Sequence, residues 1–185
     1  MTDATLPEHA EPMVPAQPTA LVVMGPSGVG KTTTAEALAE RLGWRFAEAD
    51  RFHPQANIDK MTRGVPLQDA DRGPWLAAIR DWISGEAQSG RSVVVTCSAL
   101  KRRYRDVLRQ ASARVRFVYL YADPTLVGAR LGHRTGHFMP PSLLASQFAD
   151  LEPLTRDEDG VAVAVDKAPD LVVDDALAQL GLHAG

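Results

Sequence analysis

The feature that most constrains this chain is the stretch MGPSGVGKTT at positions 24–33. It holds a complete G-x-x-x-x-G-K-[ST] pattern, preceded by the apolar run Ala20–Met24 and followed by a helical pattern over Thr32–Leu42. Backbone N–H groups of such a loop converge on phosphate oxygens, and the positive end of the following helix adds to the attraction. The alternative is a plain glycine-rich turn before an amphipathic helix. The complete pattern in its proper context instead predicts a nucleotide-binding site.

Each residue type in this loop has a chemical role. We expect Lys31 to reach the β- and γ-phosphates and to assist catalysis, and the Thr32 hydroxyl to ligate Mg²⁺ that enters with the nucleotide. The predicted nucleotide-binding residues are Gly25, Ser27, Gly28, Val29, Gly30, Lys31, Thr32 and Thr33.

The nucleotide is predicted to be ATP. GTP-binding proteins normally carry an N-K-x-D signature that reads guanine. The nearest late segment here is Asp166-Lys167-Ala168-Pro169, which lacks the asparagine and has proline in place of the aspartate. A turn at this segment would place backbone groups beside an adenine.

Apolar strand-like runs alternate with helical patterns along the chain, which predicts parallel βαβ units. The expected fold class is α/β, with a five-stranded parallel sheet between helices and ligands beyond the carboxyl ends of the strands. Residues 1–18 are rich in proline and alanine and are predicted to be a disordered tail, so that 19–185 form a single domain. The predicted strands lie near 20–24, 44–47, 92–96, 115–121 and 161–165, and the predicted helices near 32–42, 54 onward, 71–87, 101–110, 124–131, 142–151 and 170–180.

Composition excludes several functional classes. The net charge of −3 argues against broad capture of nucleic acid, and no apolar run approaches the roughly 18 residues of a membrane span. The single cysteine, Cys97, excludes an internal disulfide and favours a cytoplasmic location.

A residue that orients the phosphate-accepting hydroxyl is predicted just after the end of the second strand. Asp50 would leave the sheet beside the phosphate loop, where a carboxylate can orient an attacking hydroxyl toward the γ-phosphate. The alternative is that Asp50 only caps the next helix. His53 follows it, and a hydrogen-bonded loop residue is as good an interpretation of it as a substrate contact.

Besides the phosphate loop, the chain contains several ordered blocks: EADRFHPQANIDKM at 48–61, GVPLQDADRGPWL at 64–76, CSALKRRYRDVLR at 97–109, HF at 137–138, LLASQF at 143–148 and LEP at 151–153. Together these blocks resemble the gluconate kinase (gluconokinase) family over about residues 20–180. One departure is Ala49, where that family usually has glycine. The resemblance implies a three-layer P-loop kinase fold with a mobile lid and ATP-dependent phosphorylation of D-gluconate at its 6-hydroxyl.

A flexible polyol with a carboxylate needs cations at one end and hydrogen-bonding groups along the rest. The candidate substrate-binding residues are Asp50, His53, Arg72, Ser98, Lys101, Arg105 and His137. Arg105 is included because it follows Lys101 by four residues, which would put both on one helix face. The alternative for this basic run is a solvated face, which we favour for Arg102 and Arg103. Trp75 is predicted to pack in the core.

A lid is predicted near 131–141, where Gly132, Gly136 and Pro140 interrupt the helical patterns. Arg130 and Arg134 are expected to approach the charge that develops on the transferred phosphoryl group. A homodimer is a further possibility that the resemblance raises. Two other functions stay open: a kinase for another small acceptor, such as shikimate or a nucleoside, and a regulatory module that binds ATP without catalysis.

Overall fold

A computed structural model describes residues 17–132 and 141–183. Five strands alternate with seven α-helices and one 3₁₀ helix in this part of the chain. The strands are β1 (Thr19–Met24), β2 (Arg45–Glu48), β3 (Val93–Thr96), β4 (Arg114–Tyr121) and β5 (Gly160–Ala164). The helices are α1 (Lys31–Leu42), a 3₁₀ helix (Ala49–Phe52), α2 (Gln55–Thr62), α3 (Asp69–Gln88), α4 (Arg102–Leu108), α5 (Pro124–Gly132), α6 (Pro141–Asp150) and α7 (Pro169–Leu180).

The strands form one sheet in the order β2-β3-β1-β4-β5, and every pairing is parallel. This confirms the predicted α/β class. In the register, Glu48 lies opposite Thr96, and Thr96 lies opposite Val23. The chain segments that follow β1, β2 and β3 therefore all leave the sheet at one edge, as parallel strands require.

The two faces of the sheet hold separate cores, because alternate side chains of each strand point to opposite sides. On β1, Ala20, Val22 and Met24 join one core, which contains the apolar face of α3. Leu21 and Val23 join the other, which contains buried residues of α1 and α7. The result is three layers, with helices on both sides of the sheet. No helix in the two described stretches is long and apolar enough to cross a membrane.

Trp75 packs in the core, as predicted, and is almost fully buried. Its indole N–H donates a 2.8 Å hydrogen bond to the carbonyl of Ala49, in the 3₁₀ helix. A buried indole N–H needs such a partner. The tryptophan therefore ties the segment after β2 to α3.

The prediction that Arg105 faces an anionic substrate is wrong in this structure. Its side chain is fully buried, and its Nε and Nη2 donate to the two carboxylate oxygens of Glu158 at 2.6 and 3.0 Å. Its Nη1 donates to the carbonyls of Ala99, Leu100 and Glu152 at 3.0–3.2 Å. The guanidinium thus joins the loop after β3 to the segment before β5.

The reason for this difference lies at the start of α4. Lys101 is the N-cap and has an extended backbone (φ −100°, ψ 143°), so the helix begins only at Arg102. The spacing of four residues therefore does not place Lys101 and Arg105 on one helix face. The hydrogen bond from Arg105 to the carbonyl of Ala99 also supports the backbone of Ala99, whose φ of 43° is unusual for a residue other than glycine.

Arg105→Met should destabilise the fold by about 3–5 kcal/mol, because Glu158 would stay buried without its counter-charge. Urea unfolding measures this. Arg109→Met is the matched control, since Arg109 forms only an exposed ion pair with Asp106, and its change should stay within about 0.5 kcal/mol. A variant at Arg105 that is as stable as wild type but binds substrate poorly would restore the anion-binding role.

The Arg105–Glu158 pair also predicts a pH dependence. Burial alone would raise the pKa of Glu158, but hydrogen bonds from Arg105 and from the backbone N–H of Thr155 hold that pKa below the ordinary 4.5. A carboxyl whose pKa is lowered by folding adds stability above its unfolded pKa and loses it as pH falls through the folded one. Between neutral pH and pH 3, unfolding free energy should therefore fall more steeply in wild type than in an Arg105→Met/Glu158→Gln double variant. Parallel curves would contradict this.

Candidate active site

The phosphate loop connects β1 to α1, and its glycines have conformations that other residues resist. Gly25, Gly28 and Gly30 have φ values of +139°, +85° and +92°. A Cβ on Gly25 would lie 2.6 Å from the carbonyl oxygen of Leu120, and one on Gly28 would lie 2.7 Å from Cγ of Leu131. A Cβ on Gly30 would meet nothing within 4 Å. The loop is therefore a tight backbone cradle, as the sequence predicts for phosphate binding.

Backbone hydrogen bonds hold this cradle against the end of β3. The N–H of Gly25 donates to the carbonyl of Ser98 at 3.2 Å, and the N–H of Cys97 donates to the carbonyl of Val23 at 3.0 Å. Ser98, a predicted substrate residue, thus lies directly beside the loop. Lys31 bends back over the loop and donates to the carbonyl of Pro26 at 3.0 Å.

The charges of Lys31 and Asp50 act on the same buried group. Burial raises the pKa of the Cys97 thiol to about 12, the positive charge of Lys31 lowers it, and the negative charge of Asp50 raises it. Cys97 follows β3, which lies between β2 and β1 in the sheet. The segments that carry the two predicted catalytic groups follow β1 and β2, so they leave the same edge of the sheet on either side of the end of β3.

Arg130 lies beside the phosphate loop. Together with Gly28, Gly30 and Leu131 it lines a cavity of about 180 Å³. Its Nη2 donates to the carbonyl of Val165 at 2.6 Å. Val165 precedes the segment 166–169, which the sequence predicts to lie beside the adenine. Arg134 and His137, the other predicted residues of this region, lie outside the described residues.

Asp50 lies in the 3₁₀ helix and projects into solvent, with 91% of its side chain exposed. It does not cap the next helix: the N-cap of α2 is Pro54, and no side chain caps that helix. Ala49 is buried, has no positive φ, and donates its N–H to Oγ1 of Thr96 at 3.3 Å. Alanine in place of glycine therefore causes no backbone strain here.

His53 stands next to Asp50 in a confined position. Its ring stacks on Trp75 with the centroids 4.5 Å apart, and only 6% of its side chain is exposed. Its Nε2 lies 3.9 Å from Oδ1 of Asp50. Burial lowers the pKa of His53, Asp50 opposes that effect, and Arg72 adds to it. The net lowering keeps the imidazole neutral at neutral pH.

The predicted cations Arg72 and Lys101 meet around Asp69. Nη1 of Arg72 and Nζ of Lys101 each lie 3.9 Å from its Oδ1. Hydrogen bonds from the hydroxyl of Tyr104 and from Arg103 hold the pKa of Asp69 below its usual range. The carboxylate of Asp69 therefore lies among three cations, Arg72, Lys101 and Arg103. The sequence alone favours a solvated position for Arg103. Arg102 likewise pairs with Asp157 at 2.6 Å.

Two residues that follow or end strands at this edge of the sheet, Thr32 and Glu48, suit a divalent cation that arrives with a nucleotide. Thr32 is exposed in the first turn of α1. Glu48, at the end of β2, accepts a hydrogen bond from Thr96 with Oε2, while its buried Oε1 has no hydrogen-bond partner among the described residues. An orphaned carboxylate oxygen at this edge fits a cation or its water. The described residues contain no group of three His, Cys, Asp or Glu side chains that could hold a metal by themselves.

Comparisons with known proteins agree with this geometry. The AAA domain family model matches residues 21–154. The gluconokinase of Gluconobacter oxydans is 48% identical over 170 residues, which cover 92% of this chain and 95% of that protein. The thermosensitive gluconokinase of Escherichia coli is 42% identical over 140 residues, covering 76% and 75%. The chain belongs to the gluconokinase family.

Solved structures lead to the same family. A gluconokinase from Sinorhizobium meliloti superposes with a TM-score of 0.79 at 47% identity, covering 89% of this chain and 93% of that one. A sugar kinase from Janibacter gives a TM-score of 0.84 at 46% identity, covering 89% and 95%. Shikimate kinase from Aquifex aeolicus, at 15% identity and a TM-score of 0.56, shares the fold alone.

One residue of this gluconokinase-family site was not predicted as functional. Gln147, on α6, accepts a 2.7 Å hydrogen bond from the backbone N–H of Ser27 and donates from Nε2 to the Ser27 hydroxyl at 3.2 Å. It thereby occupies a loop N–H of the kind that phosphate oxygens use. The block LLASQF contained it, but helical periodicity selects the apolar residues Leu143, Leu144, Phe148 and Leu151, and a polar residue among them gives no signal of its own.

Gln147→Glu should weaken binding of ADP and ATP by about tenfold or more, because it adds a negative charge next to a loop built for phosphates. Isothermal titration calorimetry at low and high salt measures this, and the loss should shrink with salt. Gln110→Glu, an equal charge change at an exposed position, should leave the affinity unchanged. Equal affinities in the two variants would show that α6 does not adjoin the bound phosphates.

Proposed function

We propose that this chain transfers the γ-phosphoryl group of ATP to the 6-hydroxyl of D-gluconate, giving 6-phospho-D-gluconate and ADP. The observation that carries the proposal is that the phosphate loop with Lys31 and the segment with Asp50 follow β1 and β2 at one edge of the parallel sheet, on either side of the end of β3. The relatives named gluconokinase, at 40–48% identity over most of the chain, support the choice of acceptor.

The phosphate loop would hold the nucleotide by its backbone N–H groups and by the side chain of Lys31. The other predicted nucleotide-binding residues between Ser27 and Thr33 would supply the remaining contacts. Thr32 would ligate Mg²⁺, with Glu48 behind it. When bound, that ion neutralises charge on the β- and γ-phosphate oxygens. Arg130, which lines a cavity with Gly28 and Gly30 of the loop, would approach the bound nucleotide. Most of the proposed lid, residues 133–140 with Arg134 and His137, lies outside the described residues.

Asp50 would accept the hydrogen bond, and then the proton, of the attacking hydroxyl. The hydroxyl oxygen forms a bond to the γ-phosphorus while the bond from that phosphorus to the bridging oxygen breaks. The electron pair of the broken bond leaves with ADP. Since phosphoryl transfer demands mainly positioning and electrostatics, an exposed and correctly placed carboxylate suffices.

Arg72 and Lys101 are the cations proposed for the carboxylate end of gluconate, with Ser98 and His53 nearer the reacting end. The cluster around Asp69 supports this, because it already holds a carboxylate beside two of these cations. A kinase for shikimate or nucleosides, and a regulatory module without catalysis, are not favoured. A homodimer and a cytoplasmic location stay predictions.

The choice of acceptor is tested by measuring ADP release with D-gluconate, other sugar acids, shikimate and nucleosides. We expect release that depends on D-gluconate and much less with the others, because the pocket offers cations together with hydrogen-bonding groups. Turnover with only a non-gluconate acceptor would overturn the substrate. Nucleotide binding without any acceptor-dependent release would instead support the regulatory module.

Asp50→Asn should cut turnover by about a hundredfold or more while leaving nucleotide affinity nearly intact, because it removes the group that orients the hydroxyl and accepts its proton. A coupled ADP assay measures turnover, and calorimetry measures ADP binding. Asp59→Asn, the same change at an exposed position of α2, is the control and should be fully active. Wild-type turnover in the Asp50 variant would remove Asp50 from catalysis.

A further inference from the structure

Asn57 is a buried polar residue that the function described so far does not use. It is the chain's sole asparagine, lies on α2, and is 3% exposed. Its Nδ2 donates a 2.8 Å hydrogen bond to the backbone carbonyl of Asp71, in the first turn of α3. A carbonyl oxygen can only accept, so this contact fixes which end of the amide is the nitrogen.

The same nitrogen lies 3.3 Å from Nδ1 of His53. An amide nitrogen has two hydrogens and no available lone pair. One hydrogen is used in the bond to the carbonyl of Asp71, so the nitrogen can only donate the other to His53. Nδ1 of His53 must therefore be the unprotonated, accepting nitrogen. In the neutral ring the proton is then on Nε2, and the lowered pKa of His53 agrees with a neutral ring.

That proton points toward Asp50. Nε2 of His53 and Oδ1 of Asp50 are 3.9 Å apart, which is too far for a direct hydrogen bond. Two hydrogen bonds of about 2.8 Å can nevertheless meet at one oxygen placed between these atoms. A hydroxyl is the group that accepts from an N–H and donates to a carboxylate at the same time.

We propose that Asn57 is a positioning residue that fixes His53 as the Nε2–H tautomer, so that His53 and Asp50 together clamp the phosphate-accepting hydroxyl. His53 donates to the hydroxyl oxygen and Asp50 accepts from it, which aims a lone pair of that oxygen at the phosphorus. Stacking on Trp75 holds the ring plane, and Asn57 sets the proton. The clamp rests on the proposed function, whereas the tautomer can be measured without substrate.

The first test is nuclear magnetic resonance of protein labelled with ¹⁵N-histidine, at neutral pH and without ligands. Five imidazoles will appear, and His53→Gln identifies the signals of His53. We expect its Nδ1 to show the shift of an unprotonated nitrogen and its Nε2 that of a protonated one. A proton on Nδ1, or on both nitrogens, overturns the proposal.

The second test is kinetic. Asn57→Ala should lower kcat with the acceptor alcohol about threefold to tenfold, because it removes the contribution of one hydrogen bond. The KM for ATP should change less than twofold. Gln55→Ala, on the exposed side of the same helix, should change neither. In a His53→Gln background, which has no tautomer to set, Asn57→Ala should cost less than twofold. An equal loss in both backgrounds would mean that Asn57 acts only through folding and would overturn the proposal.

The two levels of the argument fail separately. Wild-type protein that releases no ADP with D-gluconate overturns the proposed function, and with it the clamp. Wild-type protein that is active but carries the His53 proton on Nδ1 overturns the clamp alone.

Discussion

The active site depends on the parallel register of β2, β3 and β1. Because Glu48, Thr96 and Val23 lie side by side, three chain segments leave the sheet at one edge. The backbone hydrogen bonds from Gly25 to Ser98 and from Cys97 to Val23 then continue the hydrogen-bonding pattern of the sheet into the loops. A shift of that register would separate the phosphate loop from Asp50, whatever the side chains were.

Buried polar contacts then set the positions of the loops that this edge presents. The indole of Trp75 holds Ala49, and Arg105 with Glu158 holds the loop after β3. Groups of this kind cost much free energy if left unpaired, so they tolerate few alternative arrangements. The exposed Asp50 thus has a fixed backbone beneath it while its carboxylate stays open to a substrate.

The site combines charged and neutral groups in a definite arrangement. Lys31 and Arg130 supply positive charge beside the phosphate loop, and Asp50 is the carboxylate proposed to orient the acceptor. His53 stays neutral between Asp50 and Arg72, because burial outweighs the pull of the aspartate. A neutral ring donates a hydrogen bond from one nitrogen only, whereas a charged ring carries a proton on both nitrogens and donates from each.

The sequence by itself determined the elements and the phosphate loop. Periodicity placed α3 within two residues of its observed bounds, and the loop pattern identified the glycines, because these signals are local. It did not determine the role of Arg105, since Lys101 lies outside the helix and the partner Glu158 is 53 residues away. The contacts of Gln147 with Ser27, and of Asn57 with His53 and Asp71, likewise required the folded chain. Which polar groups face each other depends on packing between distant segments, and only the tertiary structure decides it.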